Sequence, residues 1–178
     1  MLEKYFIAIV PPEPLLSEIQ TIKKEVAGNY KSKGALRSLG HITLHMPFSL
    51  EEKKEEKLIA TLASFSFDKE VPISLHNFDC FEPRVIFINV IQTDDLFELQ
   101  KKLVQHVKKH LQLFNQSDDM RGFHPHITIA FRDLKKPTFY LAWDNYKDRS
   151  FNSSFYCNSI CLLKQINDQW EVYREFKI

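Results

Sequence analysis

Two short stretches of this chain share a pattern able to do acid–base chemistry. His41-Ile42-Thr43-Leu44 and His126-Ile127-Thr128-Ile129 each set a histidine two residues before a threonine, 85 positions apart (126 − 41). In an extended strand, residues i and i+2 project from one face, so each stretch presents an imidazole and a hydroxyl side by side. Two imidazoles confronting one another suit in-line transfer at phosphorus. One takes the proton of an attacking hydroxyl or water while the other protonates the departing oxygen. Histidine can do either, because an unperturbed pKa of about 6.5 leaves both forms populated near neutrality. The threonine hydroxyls can donate to non-bridging phosphate oxygens as charge grows there. A single H-x-T arises often by chance, and a duplicated strand can repeat residues for structural reasons alone. Two matching copies in equivalent surroundings are the stronger signal.

The surrounding pattern supplies that equivalence. Residues 6–10 read as a buried strand stopped by Pro11-Pro12, and a helix is predicted from Pro14. Its apolar face carries Leu15, Leu16, Ile19, Ile22 and Val26, with Gly28 near its end. The first motif strand, 41–46, is expected to stop at Pro47. Ser49-Leu50-Glu51-Glu52 fits a capping box for a helix over 51–65. Val71, Ile73 and Leu75 alternate as a half-exposed strand, and 85–91 is a second continuous apolar strand. A helix from Asp95 turns Leu96, Leu99, Leu103, Val107 and Leu111 inward. The second motif strand covers 126–131, and a short helix covers 137–146. Closing strands are predicted over 155–163 and 170–178, joined at Asn167-Asp168. Strand, helix and H-x-T thus occur twice, with Phe6 to His41 spanning 35 residues (41 − 6) and Phe87 to His126 spanning 39 (126 − 87). This implies an internal duplication and a pseudo-twofold molecule. No Pro/Gly/Ser-rich linker separates the halves, roughly 1–80 and 81–178, so one bilobal domain is expected.

Composition excludes several alternatives. A chain of 178 residues with 44% hydrophobic content and 15 Phe can bury a sizeable core. The formal net charge of +1 (24 − 23) argues against coating long nucleic acid through a global field, while leaving room for a local basic patch. The 4 glycines form no G-x-G-x-x-G, P-loop or G-x-S-x-G pattern, which removes Rossmann, P-loop and serine-hydrolase chemistry. The 3 cysteines, an odd number with no C-x-x-C, fit reduced thiols. No secretory leader or membrane span is expected, and the default location is the cytoplasm.

The tandem motifs resemble the H-x-T-[hydrophobic] signature of the two-histidine (2H) phosphoesterase superfamily. Phe123-His124-Pro125-His126-Ile127-Thr128-Ile129 is especially similar to its 2′-5′ RNA ligase and cyclic phosphodiesterase branch. The likeness takes in the opening strand, both motifs and the 170–178 tail. It implies an α+β fold in which two antiparallel sheets meet at a central cleft with helices outside. It also implies metal- and ATP-independent opening of 2′,3′-cyclic phosphates, or the reverse joining of RNA ends through a 2′-5′ linkage. By motif, His41 and His126 become the acid–base pair and Thr43 and Thr128 the phosphate-holding groups. Many members carry a basic residue directly after H-x-T-[LI]-x. Here Phe131 holds that place, and Arg132 comes next on the His126 face by strand alternation, as a substrate-binding candidate. The expected substrate is an RNA end or a small cyclic nucleotide, handled by a monomer without cofactor or metal, with a bell-shaped pH profile that survives EDTA.

Other constellations read more plainly. His45 and His124 could join the motif histidines in a zinc or iron site, which is the metalloenzyme alternative. The threonines have no duty there, and no acid or cysteine recurs at matching positions, so cleft-wall or loop places are expected for both. A nucleotide- or RNA-end-binding module without turnover is the other alternative, although Lys or Arg would hold phosphate more strongly than a histidine pair. His76, His106 and His110 read as surface residues, and Cys80, Cys157 and Cys161 as core. Asp94-Asp95 reads as a helix start, Asp118-Asp119 as a solvated loop, and Lys101-Lys102 with Lys108-Lys109 as the wet side of a helix. Phe48, Phe123 and Phe131 flank the motifs and could stack a base or fill the core.

Overall fold

The structure is a computed structural model that describes residues 1–115 and 122–178. Asp118-Asp119 lie outside the described residues. Among the described residues, eight strands form two antiparallel sheets. In the first the order is β2 (Ile42–Glu51), β1 (Leu2–Ile9), β7 (Ser159–Ile166) and β8 (Gln169–Lys177). In the second it is β5 (His126–Ala130), β4 (Val85–Val90), β3 (Pro72–Phe81) and β6 (Asn152–Tyr156). Strands β1 and β4 are interior in their sheets. That is why both read as continuous apolar runs and bury nearly every residue after their first few positions.

Among the described residues, four α-helices cover one face of this framework: α1 (Leu15–Tyr30), α2 (Glu55–Ala63), α3 (Asp94–Leu111) and α4 (Lys136–Tyr146). Their apolar stripes join one face of both sheets in a single core, with Leu15, Ile19, Leu99, Leu103 and Phe139 meeting Ile7, Ile42, Ile88 and Ile127. In α3 the stripe Leu96, Leu99, Leu103 and Val107 repeats at helical spacing. Thr93 caps its start by accepting from Leu96 N at 3.3 Å, and Asp94 and Asp95 occupy the positive first turn. The opposite face of the first sheet carries a small cluster of Phe6, Ala8, Cys161 and Leu163 with Val10 and Trp170, built without helix residues. The edge strands β2 and β5 lie against one another. Helix α1 packs on β5 and α3 on β2, so each helix crosses to the other sheet.

The α+β class with two antiparallel sheets is as expected, but several local details differ. The sheets do not follow the sequence halves near residue 80: β3 pairs with β4, while β7 and β8 return to the first sheet beside β1. The strand expected over 155–163 is two strands in different sheets, with the chain crossing at Cys157-Asn158. Pro47 does not end β2. It falls where the pairing shifts between Tyr5↔Phe48 and Ile7↔His45, on an edge strand that tolerates a missing donor. The capping box is absent, because Ser49 pairs with Lys4 inside β2. A 3₁₀ turn, Glu52–Lys54, then precedes α2. Helix α1 runs through Gly28 and closes at Lys31 in the left-handed region (φ 54). Cys157 is in the main core, whereas Cys161 is buried on the helix-free face, and Cys80 is half-buried.

One clamp ties the loop before β2 to the loop after β5. The Asp133 carboxylate accepts from Ser32 Oγ at 2.8 Å, Lys33 N at 2.7 Å and Gly34 N at 2.9 Å. A Cβ on Gly34 would stand 2.4 Å from the Phe131 carbonyl oxygen, which is backbone and cannot swing aside. Gly34→Ala therefore costs about 1–3 kcal/mol of stability through the forced shift of this loop. Chemical denaturation measures it, and an unchanged midpoint would refute the clash.

Candidate active site

Each motif histidine stands where an edge strand begins. His41 immediately precedes β2 and His126 opens β5. Each ring is fixed by the same two contacts. The aromatic ring of Phe6 lies 4.7 Å from His41, centroid to centroid, and that of Phe87 lies 4.8 Å from His126. His41 Nδ1 is 2.7 Å from Leu39 O, and His126 Nδ1 is 2.7 Å from His124 O. A carbonyl only accepts, so in both rings Nδ1 carries the hydrogen and Nε2 is left to work on a ligand. The same carbonyl, two residues upstream, sets the same tautomer twice.

The threonines share the histidine faces. Directly opposed residues of an antiparallel pair lie on one face. Thr43 stands opposite Ala8 of the helix-free cluster, and Thr128 opposite Phe87, which carries His126. Both threonines are half-buried, and neither hydroxyl has a protein partner among the described residues. Asn89, opposite His126 on β4, adds an amide to that face. With β2 against β5, the charge of His126 is felt at His41. Burial depresses both rings. It pushes His41 down to about 4, with further lowering from Lys23 and His126 against the support of Leu39 O. His126 is lowered by burial and slightly by His124, against the support of His124 O. Both rings are neutral at pH 7 in the free protein, whereas residue type alone assigns each an ordinary histidine value.

Other candidates fall elsewhere. The register shift before Ile7↔His45 turns His45 off the His41 face and into the core. It is 1% exposed, packs edge-on to Phe48 and leaves Nε2 unpartnered. Its expected place on the cleft wall is therefore corrected by a bulge that strict alternation could not foresee. His124 does lie in a loop beside the site, 6.0 Å from His126. Among the described residues no three His, Cys, Asp or Glu side chains group as metal ligands. The placement of Arg132 by alternation also fails. Strand β5 ends at Ala130, and Arg132 turns in the left-handed region (φ 68), with its guanidinium over Phe131 at 5.3 Å. Burial pushes the Cys80 and Cys161 thiols up to about 11, so neither offers a thiolate nucleophile. His106 is half-buried and bonds Thr61 O at 2.9 Å, tying α3 to α2 rather than lying free on the surface.

Sequence reading missed one residue near the pair. Lys23 of α1 is 1% exposed and donates from Nζ to Ser38 O at 2.7 Å, three residues before His41. Burial pushes its pKa down to about 8. The spacing Ile19–Lys23–Val26 already placed it on the apolar stripe, the one signal that could have found it.

No curated protein matches the chain in sequence. The fold is similar to that of E. coli LigT in complex with 3′-AMP, at 18% identity and a TM-score of 0.68, covering 100% of this chain and 99% of that one. TT0787 of Thermus thermophilus is similar at 16% identity and a TM-score of 0.63, covering 98% and 97%. Kluyveromyces marxianus Usb1 is similar at 13% identity and a TM-score of 0.50, covering 99% and 98%. These likenesses bear on the fold. The sequence model of the 2′-5′ RNA ligase superfamily matches residues 11–169, a span holding both motifs and the framework that pairs them. The chain belongs to that family, within the two-histidine phosphoesterases.

Proposed function

We propose that the protein is a phosphoesterase that opens a 2′,3′-cyclic phosphate at an RNA end or on a nucleotide, or runs the reverse joining through a 2′-5′ linkage. The observation that carries this reading is the duplicated histidine mount: aromatic support, upstream carbonyl and free Nε2, repeated on two abutting edge strands. In the hydrolytic direction, one Nε2 takes a proton from water as its oxygen bonds to phosphorus. The bond from phosphorus to a ribose oxygen breaks, and that oxygen takes the Nε2 proton of the other ring. Thr43 and Thr128 donate to the non-bridging oxygens. The crystal structures of LigT with 3′-AMP, phosphate, NADP+ and ATP support a nucleotide-sized ligand for this fold. The protein works as a monomer in the cytoplasm without metal or cofactor. Among the described residues no helix is long and apolar enough to cross a membrane.

A panel of 2′,3′-cyclic nucleotides and 2′-5′-linked oligomers, incubated in EDTA with product mapping, tests the proposal. Turnover is expected to persist in chelator. Activity lost to EDTA and restored by a metal, or binding with no product from any substrate, overturns it. The working state needs one ring neutral and one protonated. Because both pKa values are depressed, kcat/KM peaks between pH of about 4 and the ordinary histidine value of about 6.5. A peak at or above pH 7 would contradict the burial argument.

A further inference from the structure

The sheet face that carries His126 continues, strand by strand, to a second cavity. Directly opposed residues of antiparallel strands share a face, so His126 of β5 leads to Asn89 of β4. On β3, His76 and Asn77 fall between the pairs Leu75↔Val90 and Phe78↔Ile88, so two residues stand against Asn89 alone. His76 is paired in turn with Asn152 of the edge strand β6. A row of polar side chains therefore crosses the sheet, from His126 through Asn89 and His76 to Asn152. Leu75, Phe78, Ile88 and Ile127 of the same strands join the helix-covered core instead. With neighbouring strands about 4.8 Å apart, His76 stands about 10 Å from His126. At this end of the row an open cavity of about 540 Å³ is lined by His76, Ile91 and Asn152 with Ser74, Ser153 and Ser154.

An exposed side chain is ordinarily free to rotate, but the exposed His76 is held at both ring nitrogens. Asn77 donates from Nδ2 to His76 Nε2 at 3.3 Å, so Nδ1 carries the hydrogen and donates to Asn152 Oδ1 at 2.7 Å. Asn77 is itself fixed. Its N donates to Phe151 O at 2.6 Å, and its Oδ1 accepts from Phe151 N at 3.1 Å. It holds a left-handed φ of 56, which asparagine adopts more readily than most residues. The bulge thus fixes an imidazole in the open, losing rotamer entropy with little burial in return. With both nitrogens engaged, the ring has no proton to move and no acceptor to offer. What it presents is its flat face.

We infer that this cavity is a base subsite, in which His76 stacks the nucleobase of the nucleotide whose cyclic phosphate lies at His41 and His126. The inference rests on the phosphoesterase reading above and adds a specificity-determining residue to it. The lining favours a base over a second phosphate. Among the described residues no Lys, Arg, Asp or Glu lines the cavity, and a phosphate is best held by fixed cations. Ile91, 40% exposed, offers apolar surface to a ring, and the serine hydroxyls can bond the polar edge of a base or its ribose. One nucleoside can bridge the distance from the reacting phosphorus to His76. The aromatic residues nearer the motifs are engaged elsewhere. Phe48 and Phe123 pack against the core, and Phe131 lies beneath the Arg132 guanidinium at 5.3 Å.

The test compares adenosine 2′,3′-cyclic phosphate with methyl riboside 2′,3′-cyclic phosphate, which lacks only the base. The quantity read is the ratio of their kcat/KM values. His76→Ala should lower this preference by about 5–50-fold, the size of one stacked base, and mainly through KM. His76→Phe keeps a flat face without nitrogens and should restore most of it. A preference unchanged in His76→Ala, or lost equally in His76→Phe, overturns the inference. So does a fall in rate on both substrates alike, which would leave His76 as a brace between β3 and β6. NMR of the wild type gives a readout independent of turnover and of how the variants fold. Adenosine 2′-monophosphate should shift the His76 ring protons by its ring current, and methyl riboside 2′-phosphate should not. His76 signals indifferent to the nucleotide overturn the inference as well. A wild type inactive on every cyclic phosphate sinks the phosphoesterase reading instead, and the NMR titration still decides the subsite.

Discussion

Replacing either His41 or His126 with alanine lowers kcat/KM on a 2′,3′-cyclic nucleotide by about 10²–10⁴, and replacing both costs little more than the worse of the two. The size reflects the role. Each ring moves one proton in the transition state, and the pair acts as a unit, so losing one half disables the other. Stability should hardly suffer. Each ring is half-buried and bonded to a single backbone carbonyl, and each packs at a tilt against a phenylalanine that remains in place. His45→Ala is the informative contrast. That ring lies in the core, 1% exposed and off the catalytic face, so its loss should lower the denaturation midpoint and leave turnover of the folded protein near wild type. Steady-state kinetics with denaturation curves on the three variants check this. Wild-type turnover in both His41→Ala and His126→Ala would end the two-histidine mechanism.

The contrast between His41 and His45 also shows how far the sequence could be read. Alternation correctly paired His41 with Thr43 and His126 with Thr128, because each pair lies within three residues, before any bulge can intervene. Over four residues from His41 to His45 the same rule failed, since a register shift near Ile7 turned the strand. Arg132 failed for a related reason: the strand ends at Ala130, and the left-handed turn at Arg132 itself re-aims the side chain. The repeated order of apolar strand, helix and H-x-T was legible in the pattern, and the structure sets Phe6 beside His41 and Phe87 beside His126, although the two spacings differ. Strand exchange between the halves was not legible. Which sheet β3 and β7 join depends on packing over long sequence separation, and no local pattern records it. Lys23 escaped because a lysine reads as solvated unless its position on the apolar stripe is weighed above its type.

The largest expected effect on folding lies away from the site, at the first residue of α2. The Glu55 carboxylate accepts from Tyr5 Oη in β1, from Lys164 Nζ in β7 at 2.6 Å and from Tyr173 Oη in β8 at 2.6 Å. Lys164 and Glu55 are only 15% and 17% exposed, so this network is shielded, unlike the surface pairs around Glu51 and Glu98. Glu55→Ala leaves two phenols without their acceptor and Lys164 with only the longer contact to Glu3 at 3.8 Å, and is expected to cost about 2–4 kcal/mol. Burial alone would push the Glu55 carboxyl up, but the donors Lys164, Tyr173 and Tyr5 outweigh it and hold it at about 2. The folded value lies below the unfolded one of about 4.3, so this stability is complete above that pH and drains away as pH falls toward 2. Glu55→Gln keeps the shape without the charge and should flatten the acid side of the stability curve. Urea denaturation of wild type and Glu55→Gln from pH 7 to pH 3 measures the difference. Curves that stay parallel down to pH 3 would mean that the carboxylate, although surrounded by donors, contributes no charge-dependent stability.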